Sequence, residues 1–250
     1  MPRTATPKAP ATDHPVLGRL PVGWKAVRLR DVVEKVGSGV TPRGGEKVYL
    51  KEGVPFVRSQ NIGWGEVLLD DLAFVAPAMH NEMRTTELVL NDVLLNISGA
   101  SIGRAALVNG KLTGGNVNQH VCIIRTKHDE LDPAYMLAFL LSHNGQKQID
   151  SFQAGGNREG LNYNQIRTFW IPLPPLPEQR RIARILGTWD KAIGLLGQQI
   201  AAKEERLRGL IDQLVSGARH GAEGNKLPKG WRWKTLGELG SFTKGKGILK

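Results

Sequence analysis

A stripe of apolar residues with heptad spacing is the feature that most constrains how this 250-residue chain can fold. It follows the proline-rich segment 171–177, and the steps between its members alternate between four and three residues. Its apolar members, interrupted by the polar position Lys203, are Ile182, Leu186, Trp189, Ile193, Leu196, Ile200, Leu207, Leu210 and Leu214. The spacing predicts a helix over 178–216, about 60 Å long, with a coiled-coil seam.

The alternative is a long amphipathic helix that lies on its own globular domain. The stripe is narrow and keeps its period over several heptads, which favours the coiled coil. One helix cannot bury such a seam alone. A second helix must therefore come from chain beyond residue 250 or from another subunit.

A repeated motif indicates tandem units. Residues 20–25 read LPVGWK and residues 227–232 read LPKGWR, while Leu29 recurs as Leu236 at the same offset of 207 residues. A constant offset is typical of a duplicated unit, and each copy follows a polar or flexible stretch. The repeat predicts two units of about 207 residues, of which this sequence contains only the first 24 residues of the second.

Composition divides the chain into five segments. Residues 1–18 are rich in Pro, Ala and Thr and predict a disordered tail. Residues 19–174 predict a mixed α+β domain, 175–218 a long coiled-coil-forming helix, 219–226 a linker, and 227–250 the incomplete start of a second domain of the first kind.

Within 19–174, short apolar runs bounded by Gly, Asn and Pro predict strands. The runs are Val54–Val57, Val93–Ile97, Ala105–Val108 and His120–Ile124. Asp132 followed by Pro133 predicts the start of a helix, and residues 29–36 predict another. The fold class expected from these patterns is α+β.

The formal charge of +11 suggests an anionic partner, but its distribution weakens that inference. Residues 219–250 carry eight basic and two acidic side chains, whereas 19–174 carry 17 basic and 15 acidic ones. A single cysteine, Cys122, excludes a disulfide framework and fits a reducing compartment. No apolar run approaches the length of a membrane span, and the first residues lack a signal-peptide core, so we expect a cytoplasmic protein.

No recognisable catalytic motif is present. Residues 99–104 resemble a phosphate-binding loop but lack its spacing and its terminal Lys-Ser/Thr, and 37–39 form a GxG without the third glycine. His120, Cys122 and His128 are close in sequence without a fourth metal ligand, which favours structural roles. These observations predict a non-enzyme without a bound metal.

Polar loops instead supply side chains suited to base edges. Arginine can bond guanine through two hydrogen bonds, and Asn or Gln can bond adenine. The candidate DNA-binding residues are Arg43, Lys47, Arg58, Ser59, Gln60, Asn61, Arg104, Asn116, Asn118, Gln119, Asn157, Arg158 and Asn162. The competing interpretation is that Asn and Gly in such loops are turn formers.

Several motifs resemble those of the specificity subunits of type I restriction-modification systems. They are Leu20–Trp24, Gly39–Pro42, Val54–Ser59, Ile97–Gly103, Asn118–Gln119 and, most specifically, Ile171–Gln179. The resemblance implies two recognition domains that each read half of a bipartite DNA sequence, separated by two antiparallel helices. It also implies docking of methyltransferase subunits that use S-adenosylmethionine and of restriction subunits that use ATP and magnesium, with no cofactor bound by this chain.

The sequence departs from the full-length pattern because it contains one recognition domain and one spacer helix. It is either a fragment or truncated product, or a half-subunit that forms a homodimer through the spacer helix. A coiled-coil scaffold with a protein-binding domain is the alternative function, and an enzyme ranks third.

Overall fold

The computed structural model describes residues 12–153, 160–215, 227, 229–241 and 243. The strands are β1 (Thr12–His14), β2 (Gly18–Leu20), β3 (Lys25–Arg28), β4 (Val33–Ser38), β5 (Val54–Val57), β6 (Ala73–Val75), β7 (Val93–Asn96), β8 (Ala105–Leu107), β9 (Asn116–Val117), β10 (Val121–Thr126) and β11 (Trp170–Leu173). The helices are α1 (Pro77–Glu82), α2 (Pro133–Leu141), α3 (His143–Ser151), α4 (Tyr163–Arg167), α5 (Leu176–Val215) and α6 (Leu236–Leu239). The chain divides into two compact units, Met1–Thr188 and Trp189–Lys250.

An antiparallel four-stranded sheet in the order β4-β10-β7-β8 organises the first unit. Successive side chains of a strand point to opposite faces. Leu95 and Ile124 accordingly belong to one apolar cluster, whereas Leu94 and Ile123 belong to another. Because both faces are covered, every residue of β7 is buried.

Different elements cover the two faces. The first cluster includes apolar residues of α2, α3 and β11. The second includes Val57 and Val117 from a three-stranded sheet, β6-β5-β9, in which β5 is antiparallel to β6 and parallel to β9. Together these layers form an α+β domain, as predicted.

The four apolar runs predicted as strands are strands β5, β7, β8 and β10; β5 has the predicted bounds, and the ends of the other three differ by at most two residues. The helix predicted at Asp132 is α2, because Asp132 Oδ1 accepts hydrogen bonds from the backbone N–H groups of Ala134 and Tyr135, both at 3.0 Å. The helix predicted over 29–36 is wrong. Residues 29–31 form a single 3-10 turn, and Val33–Ser38 pairs with β10, where β-branched residues fit better than in a helix.

The N-terminal hairpin of β1 and β2 corrects part of the predicted disordered tail. Residues 12–18 are ordered, while residues 1–11 of that prediction lie outside the described residues. Leu17 and Leu20 are buried in the first cluster, and the His14 ring packs edge-on against Trp170 with 4.5 Å between centroids. This anchoring depends on contacts distant in sequence, which local composition does not reveal.

Gln179 fastens the start of α5 to the first unit. Its side chain is completely buried. Gln179 Nε2 donates to the carbonyl oxygens of Glu130 and Pro174, both at 2.9 Å, and its Oε1 accepts from the N–H of Asp132 at 2.9 Å. The helix runs for 40 residues to Val215, in agreement with the predicted helix to within two residues at each end.

The predicted seam of α5 is divided between two environments. Ile182 packs against the first apolar cluster, so it contributes to the domain core. From Trp189 onward the seam is exposed within this chain, with Trp189 at 65%, Ile193 at 64% and Leu196 at 58%. The remaining seam residues are also exposed, except for the partly buried Leu210; they are Leu186, Ile200, Leu207 and Leu214.

The second copy of the repeated motif reproduces local backbone features of the first. Gly230 has φ of +90° and Gly23 has φ of +86°, a left-handed conformation that favours glycine. Helix α6 begins at Leu236, where Leu29 begins a 3-10 turn in the first copy. The predicted linker 219–226 lies outside the described residues, and the second recognition domain stays a prediction. No helix in the described ranges is long and apolar enough to cross a membrane.

Candidate nucleic-acid interface

An open polar cleft lies at one edge of the central sheet, where loops leave β5 and β7 and enter β8 and β10. It is lined by Ser59, Gln60, Ser98, Gly99, Ala100, Ser101, Arg104 and His120. None of these residues is acidic. The guanidinium of Arg104 has no hydrogen-bond or ion-pair partner among the described residues, so the polar cleft presents hydroxyls, an amide and one available cation.

Asn96 joins the loops that form the polar cleft, although it is itself fully buried. Its Nδ2 donates to the carbonyl oxygen of Ser59 at 2.8 Å. Its backbone N–H donates to the Arg104 carbonyl at 2.9 Å, and its carbonyl accepts from the N–H of Gly103 at 3.1 Å. One residue at the end of β7 thereby fixes two opposing sides of the cleft.

The turn before Arg104 is also held from α3. Gln146 Nε2 donates to the carbonyl oxygens of Gly103 at 3.0 Å and Leu140 at 2.7 Å. Gly103 has φ of +87°, and a Cβ there would lie 2.5 Å from Gln146 Oε1. The left-handed conformation therefore favours glycine, and a Cβ would also displace the Gln146 amide that holds the turn.

A chain of hydrogen bonds runs from Thr41 to Ser98 beside the polar cleft. The Thr41 hydroxyl donates to Gln119 Oε1. Gln119 Nε2 lies 3.1 Å from His120 Nε2, and His120 Nδ1 lies 2.5 Å from Ser98 Oγ. The His120 N–H also donates to Asn118 Oδ1 at 3.1 Å, which fixes the backbone next to the ring. We call the side-chain series Thr41, Gln119, His120 and Ser98 the relay.

Two further contacts bring neighbouring loops to this edge. A Cβ at Gly39 would overlap the carbonyl of Val117, so glycine allows the loop that carries Thr41 to approach β9. The N–H of Ser38 donates to Tyr163 Oη at 3.2 Å, which ties the end of β4 to α4. Residues from five parts of the chain thus converge on one surface.

The predicted DNA-binding residues fall into three groups. Ser59, Gln60 and Arg104 line the polar cleft, and Gln119 belongs to the relay. These four residues, drawn from three separate loops, are brought together by the fold.

Four other candidates have internal hydrogen bonds and are buried: Arg58, Asn61, Asn116 and Asn118. Arg58 Nη2 bonds Asp71 Oδ2 at 2.9 Å and the Asp71 carbonyl at 2.6 Å. Asn61 Nδ2 donates to the carbonyls of Leu68 and Asp71, both at 3.1 Å. We infer that these two residues shape the loop after β5 instead of contacting DNA.

Asn116 and Asn118 brace the strand before His120. Asn116 Nδ2 donates to the Met83 carbonyl at 3.0 Å, and its Oδ1 lies 2.7 Å from His80 Nδ1. Since Asn116 is fully buried, we infer a structural role for it. Asn118 Oδ1 accepts from the backbone N–H two residues further on, so its contact favours the turn-former interpretation left open by the sequence, whereas Asn116 is a strand residue held by distant partners.

Three further candidates, Arg43, Lys47 and Asn162, do not line the polar cleft. Arg43 and Lys47 are exposed in the segment between β4 and β5. Asn162 caps α4, with its Oδ1 accepting from the N–H of Gln165 at 2.9 Å. Asn157 and Arg158 lie outside the described residues.

Sequence reasoning missed the contributions of Ser98, His120, Thr41 and Asn96. Ser98 and Thr41 were present in the motifs that carry the family resemblance, and His120 was interpreted as a structural residue of a strand in preference to a metal ligand. The proximity of His120 to Ser98 arises because the start of β10 pairs with the end of β7. Asn96 carried no signal, since it reads as part of an apolar strand.

Cys122 has no role at this surface. It is fully buried in β10, and burial raises the pKa of its thiol to about 12, which keeps it protonated. Within the described part of the chain, no group of three or more His, Cys, Asp or Glu side chains is placed to hold a metal ion.

An α+β domain with a polar, acid-free cleft and a long helix fits the class of proteins that read nucleic acid. Residues 21–204 match the family described as the type I restriction modification DNA specificity domain. The chain belongs to this family, which confirms the resemblance inferred from the motifs. Membership also confirms the prediction that the chain is a specificity protein and not a catalytic subunit.

Individual relatives agree with the family. The chain is 28% identical over 204 residues to the putative type I restriction enzyme MjaX specificity subunit of Methanocaldococcus jannaschii, covering 80% of this chain and 47% of the relative. It is 25% identical over 228 residues to the EcoKI specificity subunit of Escherichia coli strain K12, covering 86% and 46%. The chain therefore spans about half the length of these curated relatives.

Solved structures share the fold. A structure from a study of complex assembly and conformational transition of the type I R-M system aligns with a TM-score of 0.60 at 24% identity, over 83% of this chain and 48% of that one. The HsdS subunit from Thermoanaerobacter tengcongensis aligns with a TM-score of 0.53 at 22% identity, over 83% and 47%. These alignments confirm the α+β fold with its long helix.

Proposed function

We propose that the polar cleft reads one half of a bipartite DNA sequence. The observation that carries this proposal is the position of Arg104, an unpaired cation beside hydroxyl and amide groups in a cleft lined by no acidic residue, with the Asp71 carboxylate hydrogen-bonded to Gln60. Arginine is the commonest reader of guanine, and carboxylates would repel the phosphate backbone. Family membership supports DNA recognition in general, and the chemistry of the lining residues is our reason for assigning it to this cleft.

The proposed contacts divide by chemistry. Arg104, Ser59, Gln60 and Gln119 are candidates for base edges. Exposed Arg43 and Lys47 are candidates for phosphates, which position a protein without reading sequence. Asn157, Arg158 and Asn162 remain predicted DNA contacts.

Selection of binding sites from random duplex DNA tests this function. The full chain is incubated with the duplex pool, with and without its methyltransferase subunit, and bound DNA is sequenced. We expect enrichment of a short half-site. Salt-sensitive binding without enrichment under both conditions would contradict the proposal, since charge alone produces that result. Absence of DNA preference would favour the alternative of a protein-binding scaffold.

We also propose that this chain works in a complex whose chemistry belongs to other subunits. Methyltransferase subunits would bind S-adenosylmethionine, and restriction subunits would bind ATP and magnesium, while this chain binds none of these. Copurification of the chain with a methyltransferase subunit, followed by calorimetry with S-adenosylmethionine, tests the division. Binding of S-adenosylmethionine by the isolated chain would contradict it.

The exposed seam of α5 supports pairing with a second helix of the same kind. We propose that, when no other chain is present, a second copy of this chain supplies that helix, so that the two copies form a homodimer. Ile193→Asp should yield a monomer in light scattering, because the heptad seam does not tolerate a buried charge. Gln198→Asp, off the seam, is the matched control. A monomeric unmodified chain at micromolar concentration with a folded helix would contradict the homodimer.

A further inference from the structure

We propose that the Ser98 hydroxyl is a specificity-determining hydrogen-bond donor to an acceptor atom of a base, and that His120 sets this donor role. The inference rests on the DNA-reading function proposed above. It goes further by naming the atom that reads and the chemical type of the group that is read.

The direction of the relay follows from its first member. The Thr41 hydroxyl carries one proton and donates it to Gln119 Oε1. The amide nitrogen of Gln119 therefore faces His120 Nε2, at 3.1 Å, and can only donate. His120 Nε2 must accept, so the single ring proton of the neutral imidazole lies on Nδ1.

The last bond of the relay then fixes Ser98. His120 Nδ1–H donates to Ser98 Oγ over 2.5 Å, so the serine oxygen is the acceptor. A serine hydroxyl has one proton of its own. No other hydrogen bond to Ser98 Oγ occurs among the described residues, and Ser98 lines the polar cleft, so that proton is available as a donor in the cleft.

The backbone holds this donor in place. Ser98 forms a β-bridge with Gly160, and the N–H of the preceding Ile97 donates to the His120 carbonyl at 3.0 Å. The backbone that carries the hydroxyl is thus bonded to two neighbouring segments before any ligand binds. Preorganisation of this kind reduces the entropy lost when the contact forms.

Gln60 complements the donor from the opposite loop. Its Nε2 donates to Asp71 Oδ2, which leaves Oε1 as an acceptor in the polar cleft. Arg104 adds only donors. The cleft therefore has a defined polarity: donors at Ser98 and Arg104 and an acceptor at Gln60. In the major groove the acceptors that Ser98 can read are purine N7, guanine O6 and thymine O4.

Base analogues in the selected half-site test the proposal at the level of single atoms. Each position is replaced in turn by an analogue that lacks an acceptor: 7-deazaadenine, 7-deazaguanine, 2-aminopurine for guanine, or 5-methyl-2-pyrimidinone for thymine. A second set lacks an exocyclic amine: purine for adenine and 2-pyrimidinone for cytosine. Affinities are measured by fluorescence anisotropy for the full chain, in the presence of its methyltransferase subunit if selection required it.

We expect Ser98→Ala to bind the natural half-site roughly three- to tenfold more weakly, the usual effect of one neutral hydrogen bond. At one position of the half-site, an analogue that lacks an acceptor should weaken binding by the unmodified chain by the same factor. The same analogue should leave the affinity of Ser98→Ala unchanged. Ser98→Thr, which keeps the hydroxyl, should retain the sensitivity. Ser151→Ala, which removes an exposed hydroxyl bonded only to the Gln148 carbonyl on α3, is the matched control.

Variants of His120 test the relay itself. His120→Ala should reduce the sensitivity at that same position, while His120→Asn, whose amide N–H can replace Nδ1–H, should preserve more of it. Thermal unfolding of each variant separates this effect from misfolding. If His120 had only a structural role, its substitution would weaken binding to every analogue by the same factor.

Three results would overturn the inference. If each analogue changed the affinity of Ser98→Ala by the same factor as that of the unmodified chain, Ser98 would not be a base-reading residue. If the Ser98→Ala effect disappeared with an analogue that lacks an exocyclic amine, Ser98 would accept a hydrogen bond from the base. The hydrogen bonds of the relay would then run in the opposite direction. Failure to select any half-site would overturn the proposed function and this inference together, whereas a selected half-site with a profile independent of Ser98 overturns this inference alone.

Discussion

Arg104 is the residue on which the proposed recognition depends most directly. Its guanidinium is unpaired among the described residues, and its backbone carbonyl is fixed by Asn96. Arg104→Ala should relax the preference at one base position by about 1–3 kcal/mol, measured as relative affinities for single-base variants of the selected half-site.

Arg30→Ala is the matched control for Arg104, because Arg30 is an exposed arginine outside the polar cleft with only Asp31 as an ion-pair partner. It should leave the preference unchanged. A uniform loss of affinity across all sequences with Arg104→Ala would reassign that residue to phosphate contact.

Cys122 provides an internal reporter of unfolding. Burial raises the pKa of its thiol to about 12, above the value of about 9 expected in the unfolded chain, so the native thiol is both shielded and protonated. Thiol reagents at pH 8 should label the denatured protein rapidly and the native protein slowly. The same shift makes native stability fall as the pH rises through 9 toward 12, because only the unfolded thiol ionises easily. Rapid native labelling at pH 8 would contradict the burial.

At the scale of single residues, the sequence predicts types of side chain better than their roles. Arg58 and Arg104 were equivalent candidates, yet Asp71 pairs with the first and leaves the second available. The difference depends on a partner 13 residues away in a loop, which no local pattern encodes. His120 and Ser98 were separated by 22 residues and meet only because two strands pair.

Among the elements, α5 was the most predictable, because the 3.5-residue period of its seam is a property of the sequence alone. The short 29–36 segment was mispredicted, since its valines fit either a helix face or a strand until β10 provides a pairing edge. Hairpin β1-β2 was missed for a related reason: its stability comes from β11 and the first apolar cluster.

The junction between the recognition domain and α5 depends on Gln179. Gln179→Ala should lower the free energy of unfolding by about 2 kcal/mol or more, because three buried backbone groups lose their partner. Chemical denaturation followed by circular dichroism measures this change. Gln199→Ala, an exposed residue on the same helix, should change stability by less than about 0.5 kcal/mol. Equal effects of the two substitutions would contradict the proposed anchoring.

For the molecule as a whole, the excess positive charge and the cleft proposed to read DNA lie in different segments. Most of the excess charge lies in 219–250, while the polar cleft belongs to a segment of nearly balanced charge. Replacing Lys229, Arg232 and Lys234 together by Gln should reduce binding to random DNA and lower the salt-dependence exponent by up to about 3. The preference for the selected half-site should remain.

A matched triple substitution in the balanced segment distinguishes location from total charge. Lys25, Lys111 and Lys147 are exposed lysines outside the polar cleft, and their replacement by Gln removes the same charge. We expect a smaller effect on the salt dependence than for the C-terminal triple. Equal effects, measured by titration at several salt concentrations, would show that only net charge matters.

The ribbon formed by β3 and β11 places Lys25 opposite Leu173, so the chain enters and leaves the recognition domain at the same place. A domain whose two ends are adjacent can be exchanged for a variant without stretching or shortening the chain on either side. The same property makes the domain tolerant of circular permutation. Recombination between related genes at these two points would replace the intervening domain as a complete unit, while the following helix and its anchoring glutamine stay as they are.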